Sequence, residues 1–343
     1  MATRFELVLN GDNPVALRAA GEEALDEIER LEAQLSLFRP ISEIARVNAR
    51  AAYEPVRVTP AVLDLLEHAR QLSEQTDGAF DVTIAPLMRC WGFLGGSGQL
   101  PEGVELAAAR QLVGMALVHL DAAACTIRFE RPGVMIDLGA IGKGYAIDRA
   151  VEVLRQAGVE SALIHGGTST VYGLGHPPEA DCWKVEIPGP STLQARLDEK
   201  LSHGHSSKAG SLPSGTNQGA PESTAPFAVV SLRDESLSVS AIWGKFFHSN
   251  GQTFGHVIDP RSGQPANRAI LSAVILPSAT ETDALSTALL TVGPEGHDRL
   301  AALRIGMKTL VLNELKGIVQ LCARGIQVAS CANGSSVKCS IEN

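Results

Sequence analysis

The sequence predicts an α+β fold. Three observations point there. Long stretches carry apolar residues at helical spacing, short apolar runs of strand character end at glycines, and the two kinds of segment do not alternate as a doubly wound parallel sheet requires. With 343 residues the chain has ample surface to bury and needs no disulfide or metal to fold.

The elements follow in chain order. Residues 4–9 read as a strand. Asn13-Pro14 then opens a helix, an Asn cap followed by Pro in the first turn, with Leu17, Ala24, Ile28, Leu31 and Leu35 along one face. Thr59-Pro60 opens a second helix in the same way, striped by Val62, Leu65, Leu66 and Ala69 and stopped near Gly78. A third amphipathic stretch covers about 105–113, and residues 117–129 read as a strand or hairpin. Val134-Met135-Ile136 is a short apolar strand before a glycine-rich turn, 139–144. A helix over about 145–157 follows, ended by Gly158. Further strands are expected at 161–164, 227–232, 236–240 and 273–276, and a helix over about 282–290.

Residues 191–226 are rich in Ser, Gly, His, Pro and Asn without apolar periodicity. Such a segment cannot bury enough surface to offset its ordering entropy, so it is expected to be a disordered insertion. The Gly/Ser-rich end, 331–343, is expected to be a flexible tail. The six cysteines include no Cys-x-x-Cys pair and are read as mostly reduced thiols.

A formal net charge of −9 argues against nucleic acid as a partner, because phosphate backbones select basic surfaces. No run reaches the roughly 18 apolar residues of a membrane span. The first residues show neither an apolar signal region nor a lipidation cysteine, so a cytoplasmic location is expected.

Several clusters could carry chemistry. Asp283 and Thr287 lie one turn apart on a predicted helix, so a carboxylate and a hydroxyl share a face, as oxygen ligands of Mg²⁺ would. Taken alone, Asp283 reads more readily as a capping or solvated acid near a helix start. Asp137 to Gly144 combines glycines, a following helix and Lys143, which suits an anionic group, although Gly144 after the lysine departs from a P-loop. His256 precedes the Asp259-Pro260 turn, where it serves either as a general base or structurally. Gly78 to Asp81 and Trp91 to Phe93 supply aromatic surface and one acid.

In this order, the segments Ser36 to Glu43, Gly78 to Asp81, Asp137 to Asp148, Gly166-Gly167, His256 to Gly263 and Asp283 to Thr287 closely resemble the ApbE-type FAD:protein FMN transferases. The resemblance spans the chain apart from 191–226 and about the last two dozen residues. It implies a single domain over 1–343 with a T-fold-like architecture of antiparallel sheets and packed helices. It further implies an enzyme that binds FAD and Mg²⁺, cleaves the diphosphate and transfers FMN to a Thr or Ser hydroxyl of an acceptor protein carrying a flavinylation motif, releasing AMP. By the same resemblance Asp283, Thr287 and the Ala140 carbonyl are metal ligands. Met1, Phe38, Ala79, Phe80, Asp81, Asp137, Lys143 and Val257 match FAD-contacting positions, and His256 matches the base. The chain departs from the family pattern at Met1-Ala2-Thr3, at Val239-Ser240-Ala241 and at Thr168. An FAD pyrophosphatase and a non-catalytic flavin-binding protein are the rival readings.

Overall fold

The computed structural model describes residues 3–96, 98–189, 227–243, 245–315, 318–328 and 337–342. β1 (Phe5–Asn10) leads into α1 (Pro14–Leu35), α2 (Glu43–Arg50), β2 (Val56–Arg57), α3 (Pro60–Gln75), α4 (Ala85–Cys90) and α5 (Gly103–Arg110). Next come β3 (Val118–Asp121), β4 (Thr126–Phe129), α6 (Gly142–Gln156), β5 (Ser161–Gly166), β6 (Thr170–Leu174) and β7 (Trp183–Ile187). The second half holds β8 (Ala228–Leu232), β9 (Glu235–Ala241), β10 (Phe246–Ser249), β11 (Gln252–Gly255) and β12 (Leu271–Leu276). It closes with α7 (Ala279–Val292), α8 (His297–Ala301), β13 (Lys308–Leu315), β14 (Ile318–Arg324) and β15 (Val337–Glu342).

The main sheet has the order β1-β5-β6-β9-β12-β13-β14-β15. Its pairs are antiparallel except β14 with β15. Both faces are covered, which is why β6 and β12 are buried along their whole length. On one face Val274 and Leu276 pack with α1, α3, α6 and α7 in the larger core. On the other, Leu271, Ala273 and Ile275 pack under the β7–β8 ribbon, against Trp183, Phe227 and Val230. This is the mixed α+β architecture expected. Among the described residues no helix is long and apolar enough to cross a membrane.

The predicted helix starts hold, with one difference in chemistry. Asn13 caps α1 as expected, accepting from Val15 N at 3.2 Å and Ala16 N at 3.1 Å. Thr59 precedes α3 but makes no side-chain cap; its hydroxyl instead accepts from Gln34 Nε2 at 2.8 Å, tying α3 to α1. The glycine-rich turn is shorter than expected, because α6 already begins at Gly142 and includes Lys143 and Gly144 in its first turn.

Val134 to Ile136 is extended but joins no sheet. The Asn48 side chain takes the place of a neighbouring strand: Ile136 N donates to Asn48 Oδ1 at 2.7 Å and Asn48 Nδ2 donates to Ile136 O at 2.8 Å. The expected flexible tail is also corrected in part. Residues 337–342 form the edge strand β15, consistent with the alternation of Val337, Cys339 and Ile341 with polar residues. The rest of that tail, the expected insertion at 191–226 and Met1 lie outside the described residues.

Candidate active site

α6 and α7 touch at Gly144. A Cβ there would sit 2.0 Å from the Ala279 carbonyl oxygen, so only glycine permits this approach. Each helix then supplies a carboxylate to the other's N-terminus, where backbone N–H groups lack intrahelical acceptors. Asp148 accepts from Ala279 N at 2.8 Å, Thr280 N at 2.9 Å, Ser278 Oγ at 2.9 Å and Thr280 Oγ1 at 2.6 Å. Asp283 Oδ2 accepts from Gly144 N at 3.1 Å.

Asp283 Oδ1 is held by the Lys143 ammonium, and both side chains are largely buried, 8% and 12% exposed. Lys143 Nζ also donates to Thr170 Oγ1 at 2.7 Å. Behind it runs a chain of buried hydroxyls. Thr170 contacts Ser238 at 3.1 Å, Ser238 donates to Thr282 at 2.9 Å, Thr282 to Ser236 at 3.2 Å, and Ser236 to the Val171 carbonyl at 3.1 Å. This network satisfies polar groups that would otherwise be costly to bury and fixes the ammonium in place.

Lys143 and Asp283 open onto a cavity of about 510 Å³, within the range of small-molecule sites. Ala79, Phe80, Asp81, Asp137, Ala140 and Val257 line it as well, together with His256 and Thr287. Thr287 Oγ1 donates to the Asp283 carbonyl at 3.2 Å, which leaves its lone pairs for a ligand. The fold therefore brings the residue expected to act as base, the oxygens expected to hold a metal and most of the residues expected to contact FAD to one concave surface.

His256 follows the β10–β11 hairpin. The hairpin is anchored by aromatic packing: Phe247 and Phe254 stack with centroids 5.2 Å apart, and Phe254 lies 5.5 Å from Trp91. Phe93 stands edge-on to His256 at 6.4 Å. The Trp91 to Phe93 segment thus supports the histidine from beneath. His256 Nδ1 lies 3.0 Å from the Lys245 carbonyl and 3.3 Å from the Lys245 N–H. A proton on Nδ1 donates to the carbonyl and leaves the Nε2 lone pair free, whereas the Lys245 N–H calls for Nδ1 as acceptor. Burial, aided by the charge of Lys245, lowers the His256 pKa below the usual histidine value.

The two other acids differ. Asp81 spends its carboxylate on structure. Oδ1 accepts from Thr83 N at 2.8 Å and Thr83 Oγ1 at 2.5 Å, and Oδ2 from Ser73 Oγ and Met115 N, each at 3.1 Å. It shapes the cavity wall more than it offers a charge. Asp137 accepts from Gly139 N at 2.8 Å, and burial raises its pKa above the usual aspartate value.

Phe38 stands apart from this cavity lining. Ser42 caps α2 by accepting from Ala45 N at 2.9 Å and donates to the Ser36 carbonyl at 2.6 Å. That closes the α1–α2 loop and leaves the Phe38 ring 67% exposed. Other lining residues were not assigned from the sequence: Thr168, Ser240 and Trp243. Ser240 Oγ lies 2.9 Å from Ser286 Oγ and 3.4 Å from Thr287 Oγ1, joining β9 to the face of α7 that carries Asp283 and Thr287. Thr168 and Ser240 were visible only as departures from the family pattern.

Fold and site together define an α+β scaffold that gathers a cation, a carboxylate, hydroxyls and a histidine around one ligand-sized cavity. The ApbE family profile matches residues 1–311, and the chain belongs to the ApbE family. A FAD:protein FMN transferase of Klebsiella pneumoniae is 30% identical over 301 residues, covering 85% of this chain and 83% of that protein. A FAD:protein FMN transferase of Vibrio cholerae is 28% identical over 274 residues, covering 78% and 72%. The apo form of the Pseudomonas stutzeri flavinyl transferase ApbE superposes with a TM-score of 0.72 at 26% identity, covering 94% of this chain and 95% of that one.

Proposed function

We propose that the protein is a Mg²⁺-dependent FAD:protein FMN transferase that cleaves the FAD diphosphate, attaches FMN to a Thr or Ser hydroxyl of an acceptor protein and releases AMP. The observation that carries the reading is the convergence of Lys143, Asp283, Thr287 and His256 on one cavity. A reaction at a diphosphate needs charge compensation on one side and a base on the other.

The donor set suits the metal. Asp283, Thr287 and the Ala140 carbonyl are all hard oxygen donors, which fits Mg²⁺. Among the described residues no group of three or more His, Cys, Asp or Glu forms a metal cage. Asp283, Thr287 and the Ala140 carbonyl would hold the ion with few protein ligands, as is common for Mg²⁺ on phosphates. Bound there, Mg²⁺ supplies electrostatic stabilisation of the charge on the departing phosphate.

The chain's own groups do the rest. Lys143 offers its remaining N–H to a phosphate oxygen. His256, neutral because burial lowers its pKa, takes the proton of the acceptor hydroxyl through Nε2. The hydroxyl oxygen bonds to the FMN phosphorus as the bond to the AMP oxygen breaks. Phe38, exposed on the α1–α2 loop and outside the cavity lining, is read as an FAD contact by the resemblance alone.

The test incubates the protein with FAD, Mg²⁺ and a candidate acceptor, and follows covalent flavin fluorescence on a denaturing gel. A fluorescent acceptor band that disappears with EDTA supports the transferase. Free FMN and AMP with no labelled band, across several acceptors, replaces it with the hydrolase.

A further inference from the structure

We propose that Lys143 is a resident counter-cation that occupies Asp283 until FAD and the metal arrive together, so that the site takes up Mg²⁺ with FAD and not before it. The inference rests on the Mg²⁺ reading above and adds an order of binding to it.

Three observations support it. Asp283 supplies the single carboxylate of the proposed metal set, and both of its oxygens are already engaged, Oδ1 by Lys143 Nζ and Oδ2 by the Gly144 N–H. A divalent cation that needs Oδ1 must therefore displace an ammonium. The pair is largely buried, so a competing like charge is poorly screened. The ammonium also has a second anchor. Its hydrogen bond to Thr170 at 2.7 Å, backed by the hydroxyl chain into β9 and α7, keeps Lys143 in the wall when Asp283 turns away.

Formal charges then set the order. Lys143 and Asp283 cancel. A dication added alone gives the ion and this pair a net charge of +2 and sets it against the buried ammonium, with Asp81 and Asp137 the other carboxylates of the lining, and a poorly solvated pair opposes that crowding. A diphosphate with two ionised phosphoryl groups cancels that local charge, gives the ammonium a new acceptor and frees Asp283 for the metal. In binding language, the metal-competent state of Asp283 is a minor one in the free protein, and apparent affinity falls by that fraction.

The experiment measures Mn²⁺ binding by electron paramagnetic resonance for wild type, Lys143→Met, Lys143→Gln and Asp283→Ala, each without and with FAD. Circular dichroism checks that each variant is folded. In wild type, Mn²⁺ binds weakly alone and tightly with FAD. Either neutral Lys143 variant binds Mn²⁺ alone at least about tenfold more tightly than wild type, as expected if Asp283 is free for only about a tenth of the time. Its gain from FAD shrinks. Unchanged Mn²⁺ affinity in both folded variants, with wild type still taking up Mn²⁺ in the presence of FAD, overturns the counter-cation role and leaves the metal reading standing. If wild type and Asp283→Ala bind Mn²⁺ alike even with FAD, the metal assignment itself fails and the inference goes with it.

Discussion

Asp148 on α6 and Asp283 on α7 cap each other's helices. Asp148 accepts from the first backbone N–H groups of α7, and Asp283 accepts from Gly144 in the first turn of α6. The two contacts fix the helices against each other at Gly144. That register sets Lys143 beside Asp283 at the cavity wall, so the geometry of the wall follows from a helix-capping arrangement.

Asp148→Ala removes a carboxylate that accepts four hydrogen bonds. It is expected to lower unfolding free energy by about 2 kcal/mol, the combined scale of a lost cap and unpaired donors. Asp148→Asn retains an acceptor and loses less. Urea denaturation of the three proteins decides this; equal midpoints for wild type and Asp148→Ala refute the capping role.

The Lys143–Asp283 pair is expected to contribute position more than stability. Asp283→Ala should abolish AMP release from FAD and destabilise the fold by about 3 kcal/mol, because it strands a buried ammonium. The double variant Lys143→Met, Asp283→Leu should recover most of that stability without recovering activity. A double variant less stable than Asp283→Ala alone shows that the pair itself stabilises the fold.

Ile187 and Ala228 are register partners at the ends of β7 and β8, so a short turn can join the two strands. Replacing residues 190–226 with about four Gly/Ser/Asn residues is expected to leave the thermal midpoint within a few degrees of wild type. A large drop shows that the replaced segment packs on the core.

Much of this architecture was legible in the sequence, for reasons that can be named. α1, α3, α6 and α7 carry apolar stripes or strong start signals, and burial of those stripes forms the larger core. The resemblance singled out residues most of which the fold gathers at one cavity, but it did not reveal the contacts that hold each of them. Asp283 admitted two readings, ligand or cap, and in the structure it is a cap whose carboxylate also faces the cavity. The β10–β11 hairpin was missed despite a local signal. Asn250-Gly251, both at positive φ, is the pairing that tight hairpin turns favour, and the flanking residues alternate as strands do. Asn48 standing in for a strand beside Ile136 left no such trace, since it depends on residues far apart in the chain.

His256 provides the pH test. Burial lowers its pKa, so the neutral form persists above that lowered value and is lost as pH falls through it. Transfer activity, as kcat/KM, is therefore expected to be flat at and above about pH 6.5 and to decline on the acid side. Asp137 is a rival owner of that decline, because it lines the same cavity and burial raises its pKa. Two variants separate them. Asp137→Asn should keep the acid limb if His256 titrates there. His256→Ala should keep FAD affinity within a few-fold while lowering turnover by roughly 10²-fold or more, with the acid limb gone from what remains. An acid limb that survives in His256→Ala and vanishes in Asp137→Asn reassigns the base to Asp137. Unchanged turnover in His256→Ala removes the histidine from the chemistry while leaving the roles of Lys143 and Asp283 untouched.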